Sequence, residues 1–247
     1  MIARREIWLL VGKELRQLTR NRSVVITGLL FPTMFLVLIP TIQIAATGAS
    51  GGGGGISGTP LAGLNSVGNT SQVFLLLVFP LYYMLCGLLT PGISATYTFV
   101  AEREQRTVEL LMALPVTVRQ ILVAKLMSNL IAAMVVTLPL FVVNQVLIQV
   151  RTGAGVLYLV AALVLLLAAL ACSIGIGLIV ALVARDVRTA GNLTPLWLFP
   201  AMGLTAAAIL FVPGLWRFYV LAAALLCLLA AMLTFCLRWL TFERFVA

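Results

Sequence analysis

Apolar residues along this chain gather into long runs, and most of the charge lies in the short segments between them. The runs cover Val24–Ala46, Val73–Ala101, Ile121–Val150, Val156–Ala184, Leu193–Val212 and Phe218–Leu237. Each is long enough for a helix to cross a hydrocarbon core, which takes about 20 residues. The pattern predicts an all-α polytopic membrane protein with six transmembrane helices, forming one domain over 1–247. Prolines fall inside several runs. Thr90-Pro91-Gly92 predicts a kink in the second, Pro139 lies in the third, and Pro195 and Pro200 lie in the fifth. Membrane helices accept proline where neighbours satisfy the freed carbonyls.

Composition agrees with the pattern. Hydrophobic residues make up 62% of the chain, charged residues 9%, and the mean hydropathy is +1.16. A soluble domain is nearer half apolar and a quarter charged, so lipid is the natural solvent for the excess. The net charge of +9 does not point to nucleic acid, because the basic residues punctuate apolar runs rather than forming a stripe with exposed aromatics.

The positions of those basic residues predict orientation. With the N-terminus inside, the inner segments carry Arg4, Arg5, Lys13, Arg16, Arg20, Arg22, Arg103, Arg106, Arg119, Lys125, Arg185, Arg188, Arg238 and Arg244. The outer segments carry only Arg151 and Arg217 of the 16. Both termini are therefore expected in the cytoplasm. The first run, preceded by 23 residues, is too long and too deep in the chain for a usual cleaved signal peptide.

Chemistry is sparse. Histidine is absent, and Cys86, Cys172, Cys227 and Cys236 lie in apolar runs without a CxxC pair. They read as packed or lipid-facing thiols, with no disulfide framework and no zinc spacing. No phosphate loop or hydrolase motif occurs. All seven acids (Glu6, Glu14, Glu102, Glu104, Glu109, Asp186 and Glu243) fall in inner segments. Ion-coupled carriers usually bury ionisable relays in their spans. Their absence argues that any pumping draws its energy from outside the bilayer. A membrane-embedded enzyme would be left with a Ser or Cys nucleophile and no evident base.

Three connecting segments stand out. Residues 47–72 form a Gly-rich outer loop, a low-complexity linker. The first 22 residues read as an interfacial helix. Ile7, Trp8, Val11, Leu15 and Leu18 recur at helical spacing, while Arg4, Arg5, Lys13 and Arg16 lie mostly elsewhere on the surface. Such a helix either simply anchors the chain or also touches a cytoplasmic partner. The inner segment 102–118 opens with Glu102, Arg103, Glu104 and Arg106, then presents Leu110, Leu111, Met112 and Leu114 before Pro115. A solvated loop has no use for those leucines. They either dip into the interface or dock into a partner's groove.

Glu102, Glu104, Thr107, Glu109, Leu110, Leu111, Pro115, Ile121, Leu122 and Lys125 follow a pattern of roughly ExExGTxExLLxxxPxxxxxILxxK, with the residues from Leu110 to Lys125 each one position earlier than the pattern has them. This resembles the inner-loop signature of type-two ABC exporter permeases, which have the type V exporter fold. Arg106 and Ala124 stand where the family often has glycine. The N-terminal Lys13-Glu14-Leu15-Arg16, Arg20-Asn21-Arg22 and Pro32 resemble the family's entry into its first span. The resemblance implies two six-span chains, a homodimer by expectation, lining a pathway in a bacterial or archaeal plasma membrane. Two separate ATPase subunits beneath would hold ATP and Mg, with no cofactor in this chain. It also implies a coupling helix near Thr107–Leu114, and contacts with the ATPase through Glu102, Arg103, Glu104, Thr107, Glu109, Leu110, Leu111, Leu114 and Pro115. Trp8, Lys13, Glu14 and Arg16 would belong to the N-terminal interfacial helix. The family commonly has re-entrant helices between spans five and six. Leu204–Trp216 leaves little room for them, and Pro213-Gly214 marks either a reduced version or only a turn. Ala169, Ser173 and Gly177 recur every four residues, which permits close helix contact. They read first as ordinary packing and second as a dimer seam.

Overall fold

The structure, a computed structural model, describes residues 11–13, 16, 22–42, 78–104, 118–152, 155–183, 189, 193 and 196–239. Among the described residues every regular element is helical. Helix α1 (Arg22–Pro32) passes directly into a π-helical turn at Thr33–Leu38, and helix continues over 39–42. The following helices are α2 (Phe79–Glu104), α3 (Val118–Thr152), α4 (Val156–Val183), α5 (Leu198–Phe211) and α6 (Trp216–Trp239). Among the described residues, three stretches are long and apolar enough to cross a membrane: Leu126–Val150, Val156–Gly177 and Trp216–Thr234. Gly28–Ile42 and Leu198–Phe211 are shorter apolar helices. The Gly-rich segment 47–72 lies outside the described residues.

The π turn has a cause in the sequence. In an α-helix the Leu36 carbonyl would accept from the N–H of residue 40, but residue 40 is proline. Proline has no N–H, and its ring crowds the carbonyl four residues back. The wider turn relieves this. The Ile39 N–H reaches five residues back to the Met34 carbonyl, the bonding pattern of a π-helix.

Helix α4 is the hub of the bundle. Its membrane-length stretch is 67% buried, against 33% for those of α3 and α6, so its neighbours rather than solvent or lipid cover it. It packs mainly against α2 and α6. Small residues permit the α2 contact. A Cβ added to Gly87 would lie 2.5 Å from the Ala169 Cβ and 3.1 Å from the Leu170 nitrogen. One helical turn on, the Ser173 hydroxyl donates to the Leu88 carbonyl. The Thr90 hydroxyl donates to the Cys86 carbonyl at 2.8 Å. The two carbonyls they engage come just before and just after Gly87 in the sequence, and Pro91 has no N–H to offer the Gly87 carbonyl. Ala169 and Ser173 are thus used within the protomer.

The connection between α5 and α6 is only a turn. Val212 leaves α5 in extended conformation, Gly214 takes φ 61°, and α6 begins at Trp216. No re-entrant helix fits there. The left-handed φ at residue 214 is one that only glycine adopts cheaply. Arg217 folds back over the turn and donates from Nε to the Val212 carbonyl. Cys86 and Cys172 are packed thiols, and Cys227 faces outward.

Candidate functional site

The bundle buries an organised polar cluster where the first apolar segment, α2 and α3 meet. Helix α3 turns a stripe of Asn129, Ala133, Thr137, Phe141, Asn144 and Ile148 inward, at spacings of three and four. Asn144 lies near the α4-facing end, six residues before Val150 or about 9 Å along the helix axis. Its Oδ1 accepts from the Tyr83 hydroxyl at 2.9 Å. Its Nδ2 donates to the Leu36 carbonyl of the π turn. Gln145 Nε2 donates to the Tyr83 oxygen at 2.9 Å. The Tyr158 hydroxyl approaches this group through Tyr83 but makes no well-formed hydrogen bond. Aromatic rings close the sides, with Phe141 5.6 Å from Tyr83 and Phe218 5.4 Å from Tyr158, both edge-on.

Every side chain in this cluster is a neutral amide or a phenol. The cluster can orient helices, but it offers no carboxylate to carry a proton. Among the described residues no group of His, Cys, Asp and Glu could hold a metal ion. Elsewhere on α3 the amide of Asn129 is buried with neither its oxygen nor its nitrogen bonded. On α5 the Thr205 hydroxyl donates to the Ala201 carbonyl at 2.9 Å and lies 3.3 Å from the Met84 sulfur. Reading the sequence as apolar runs passed over all of these residues. The available signal was Pro40 standing four residues after Leu36, with Asn144-Gln145 in a run that otherwise needs no amides.

Few of the expected coupling residues fall within the description. Glu102, Arg103 and Glu104 close the C-terminal end of α2 as backbone. Thr107, Glu109, Leu110, Leu111, Leu114 and Pro115 lie outside the described residues, as do Trp8 and Glu14. Near the N-terminus, residues 11–13 and 16 are helical, with Val11 buried and Lys13 and Arg16 exposed.

The sequence matches the family described as ABC-2 family transporter protein over residues 8–215. The chain belongs to the ABC-2 transporter family. This membership covers most of the chain, including the polar cluster, α2 to α4, and the segment after α2. It makes the chain a permease subunit of a type-two ABC transporter, a component of membrane transport rather than a catalyst. The apolar helices agree with a multi-pass membrane protein. No curated protein and no solved structure matches the chain. The inner-loop signature read from Glu102 to Lys125 had pointed to the same family.

Proposed function

We propose that this ABC-2 permease is the transmembrane subunit of an ATP-driven exporter with the type V fold. Two copies line the pathway, and two separate ATPase subunits dock on the cytoplasmic side and hold ATP and Mg. Six spans, with both termini in the cytoplasm of a bacterial or archaeal cell, agree with the distribution of basic residues. The family match over 8–215 carries the reading. Two further features favour it. Residues 1–247 contain no phosphate loop, which fits nucleotide being handled by a separate ATPase subunit. Among the described residues the buried polar side chains are neutral except Arg217, in the first turn of α6. An ion-coupled carrier would need titratable groups within its spans. The segment Glu102–Pro115 is the docking element in this reading. It leaves the end of α2 with alternating charge and then offers Leu110, Leu111 and Leu114 to a groove.

The test is reconstitution. The purified chain alone should neither bind nor hydrolyse ATP. Addition of its cognate ATPase subunit should yield a stable complex whose hydrolysis rises in liposomes with a transported compound. ATP turnover by the homogeneous chain alone would overturn the assignment of nucleotide chemistry to a partner. Transport by the chain alone, driven by an ion gradient, would overturn the exporter reading.

A further inference from the structure

We propose that Thr33–Pro40 is a hinge in the first apolar segment, held shut by a latch. In that latch the Asn144 amide takes the place of the N–H that Pro40 lacks. The inference stands on backbone chemistry and does not depend on what drives the transporter.

Three observations converge on one carbonyl. Residue 40 is proline, so the Leu36 carbonyl has no α-helical donor. The helix is π-wound over Thr33–Leu38, ending at the bond from Ile39 N–H to Met34 carbonyl. The one side-chain donor placed at Leu36 among the described residues is Asn144 Nδ2, contributed by a different helix. Inside a membrane bundle no bulk water is available to take over that carbonyl. The amide is itself held, because the Tyr83 hydroxyl engages its oxygen and Gln145 engages the tyrosine oxygen. Leu36 is fully buried against this group, whereas Leu38 and Ile42 beyond it are exposed.

A π turn differs from an α turn by about one residue, so closing it rotates everything beyond it by about 100°. With the latch made, the π turn is held against α3 and residues 39–42 keep their present orientation. With it broken, the carbonyl must find another donor, and the end of the segment swings or rewinds. The cluster therefore ties the position of the first segment to the registry of α2 and α3. Tyr83 and Gln145 act here as positioning residues.

The experiment is a double-mutant cycle on the purified full chain in lipid nanodiscs. Asn144→Leu fills the space but donates nothing. Pro40→Ala supplies the missing N–H. Thermal unfolding should show a loss of several degrees for Asn144→Leu beside Pro40, and less than half that loss beside Ala at position 40. The freed Tyr83 hydroxyl costs the same in both backgrounds and cancels. In parallel, nitroxides on Ile42→Cys and Val146→Cys report the hinge, using chains diluted with unlabelled protein and native cysteines replaced by alanine. Both sites are exposed. The distance distribution should be narrow in the parent, broadened and longer in Asn144→Leu, and narrow again when Pro40→Ala is added. If Asn144→Leu does not survive purification, Tyr83→Phe replaces it, and broadening is again expected. Equal losses in both backgrounds, or an unchanged distance distribution, would overturn the proposal.

Discussion

Gly87 of α2 and Ala169 of α4 meet where a single added methyl group would overlap a neighbour's, with 2.5 Å between the two Cβ positions. The Leu170 nitrogen at 3.1 Å is backbone and cannot step aside cheaply. Gly87→Ala is therefore expected to separate the two helices and lower stability by about 1–3 kcal/mol, the range for overpacking a core. Gly175 supplies the control. Its added Cβ would meet the Leu229 Cδ1 at 2.9 Å, the far end of a flexible side chain. Gly175→Ala should leave the unfolding temperature nearly unchanged while Gly87→Ala lowers it.

Asn129 leads to the opposite expectation. Its amide is buried and unbonded on both atoms, and such a group carries a desolvation penalty of about 1–3 kcal/mol. Asn129→Leu, with the same number of side-chain heavy atoms and the same branching, should raise the midpoint of thermal unfolding in detergent. A fall would mean that the amide contributes to the stability of the folded chain.

The turn at Gly214 offers a backbone test. At φ 61° any residue with a Cβ loses about 1–2 kcal/mol, although nothing lies within 4 Å of the added methyl. Gly214→Ala should cost about that much and should not depend on lipid composition. Gly203, also with open space around it but helical, should accept alanine without loss.

Orientation can be read chemically. A cysteine at Gly53 in a cysteine-free background should react with an impermeant thiol reagent in intact cells. Cysteines at Gln105 or Thr189 should not. The reverse labelling would place the basic segments outside and refute the orientation.

For the coupling segment, Leu111→Asp should leave the chain inserted but release the ATPase subunit. One buried leucine is worth about 1.5–3 kcal/mol, and an unpaired carboxylate in its place costs more. Glu104→Ala should lower coupling more than assembly. An exposed ion pair with Arg106 or a partner cation would contribute at most about 1 kcal/mol. Co-purification yield measured beside substrate-stimulated ATPase activity separates the two. Full yield and full transport with Leu111→Asp would reduce the segment to a surface loop.

What the sequence made legible was what hydrophobic length encodes. The helices α3, α4 and α6 fall inside or close to their apolar runs, because a membrane segment is specified by summed transfer free energy rather than by fine pattern. The every-four repeat at Ala169 and Ser173 foretold a close contact, and the partner proved to be Gly87 and Leu88 of the same chain. The polar cluster was not legible. Asn144, Gln145, Tyr83 and Tyr158 are single polar residues in apolar surroundings, and their meaning depends on which helices become neighbours. Pro91 and Pro139 are legible as local features, each within its own apolar run. The consequence of Pro40 is not local, since its missing donor is replaced from a residue more than a hundred positions away.

The burial of α4 bears on how the chain is made. This helix is the most enclosed of the membrane-length stretches, with α2 on one side and α6 on another, yet it is also the most apolar of them. In the finished bundle much of that oiliness never meets lipid. During synthesis, however, α4 leaves the ribosome before α6 exists, and each helix must enter the bilayer on its own credentials before helices associate. The composition of α4 thus answers to the insertion machinery as well as to packing. A substitution harmless in the assembled bundle can still fail by leaving the nascent segment stranded in water.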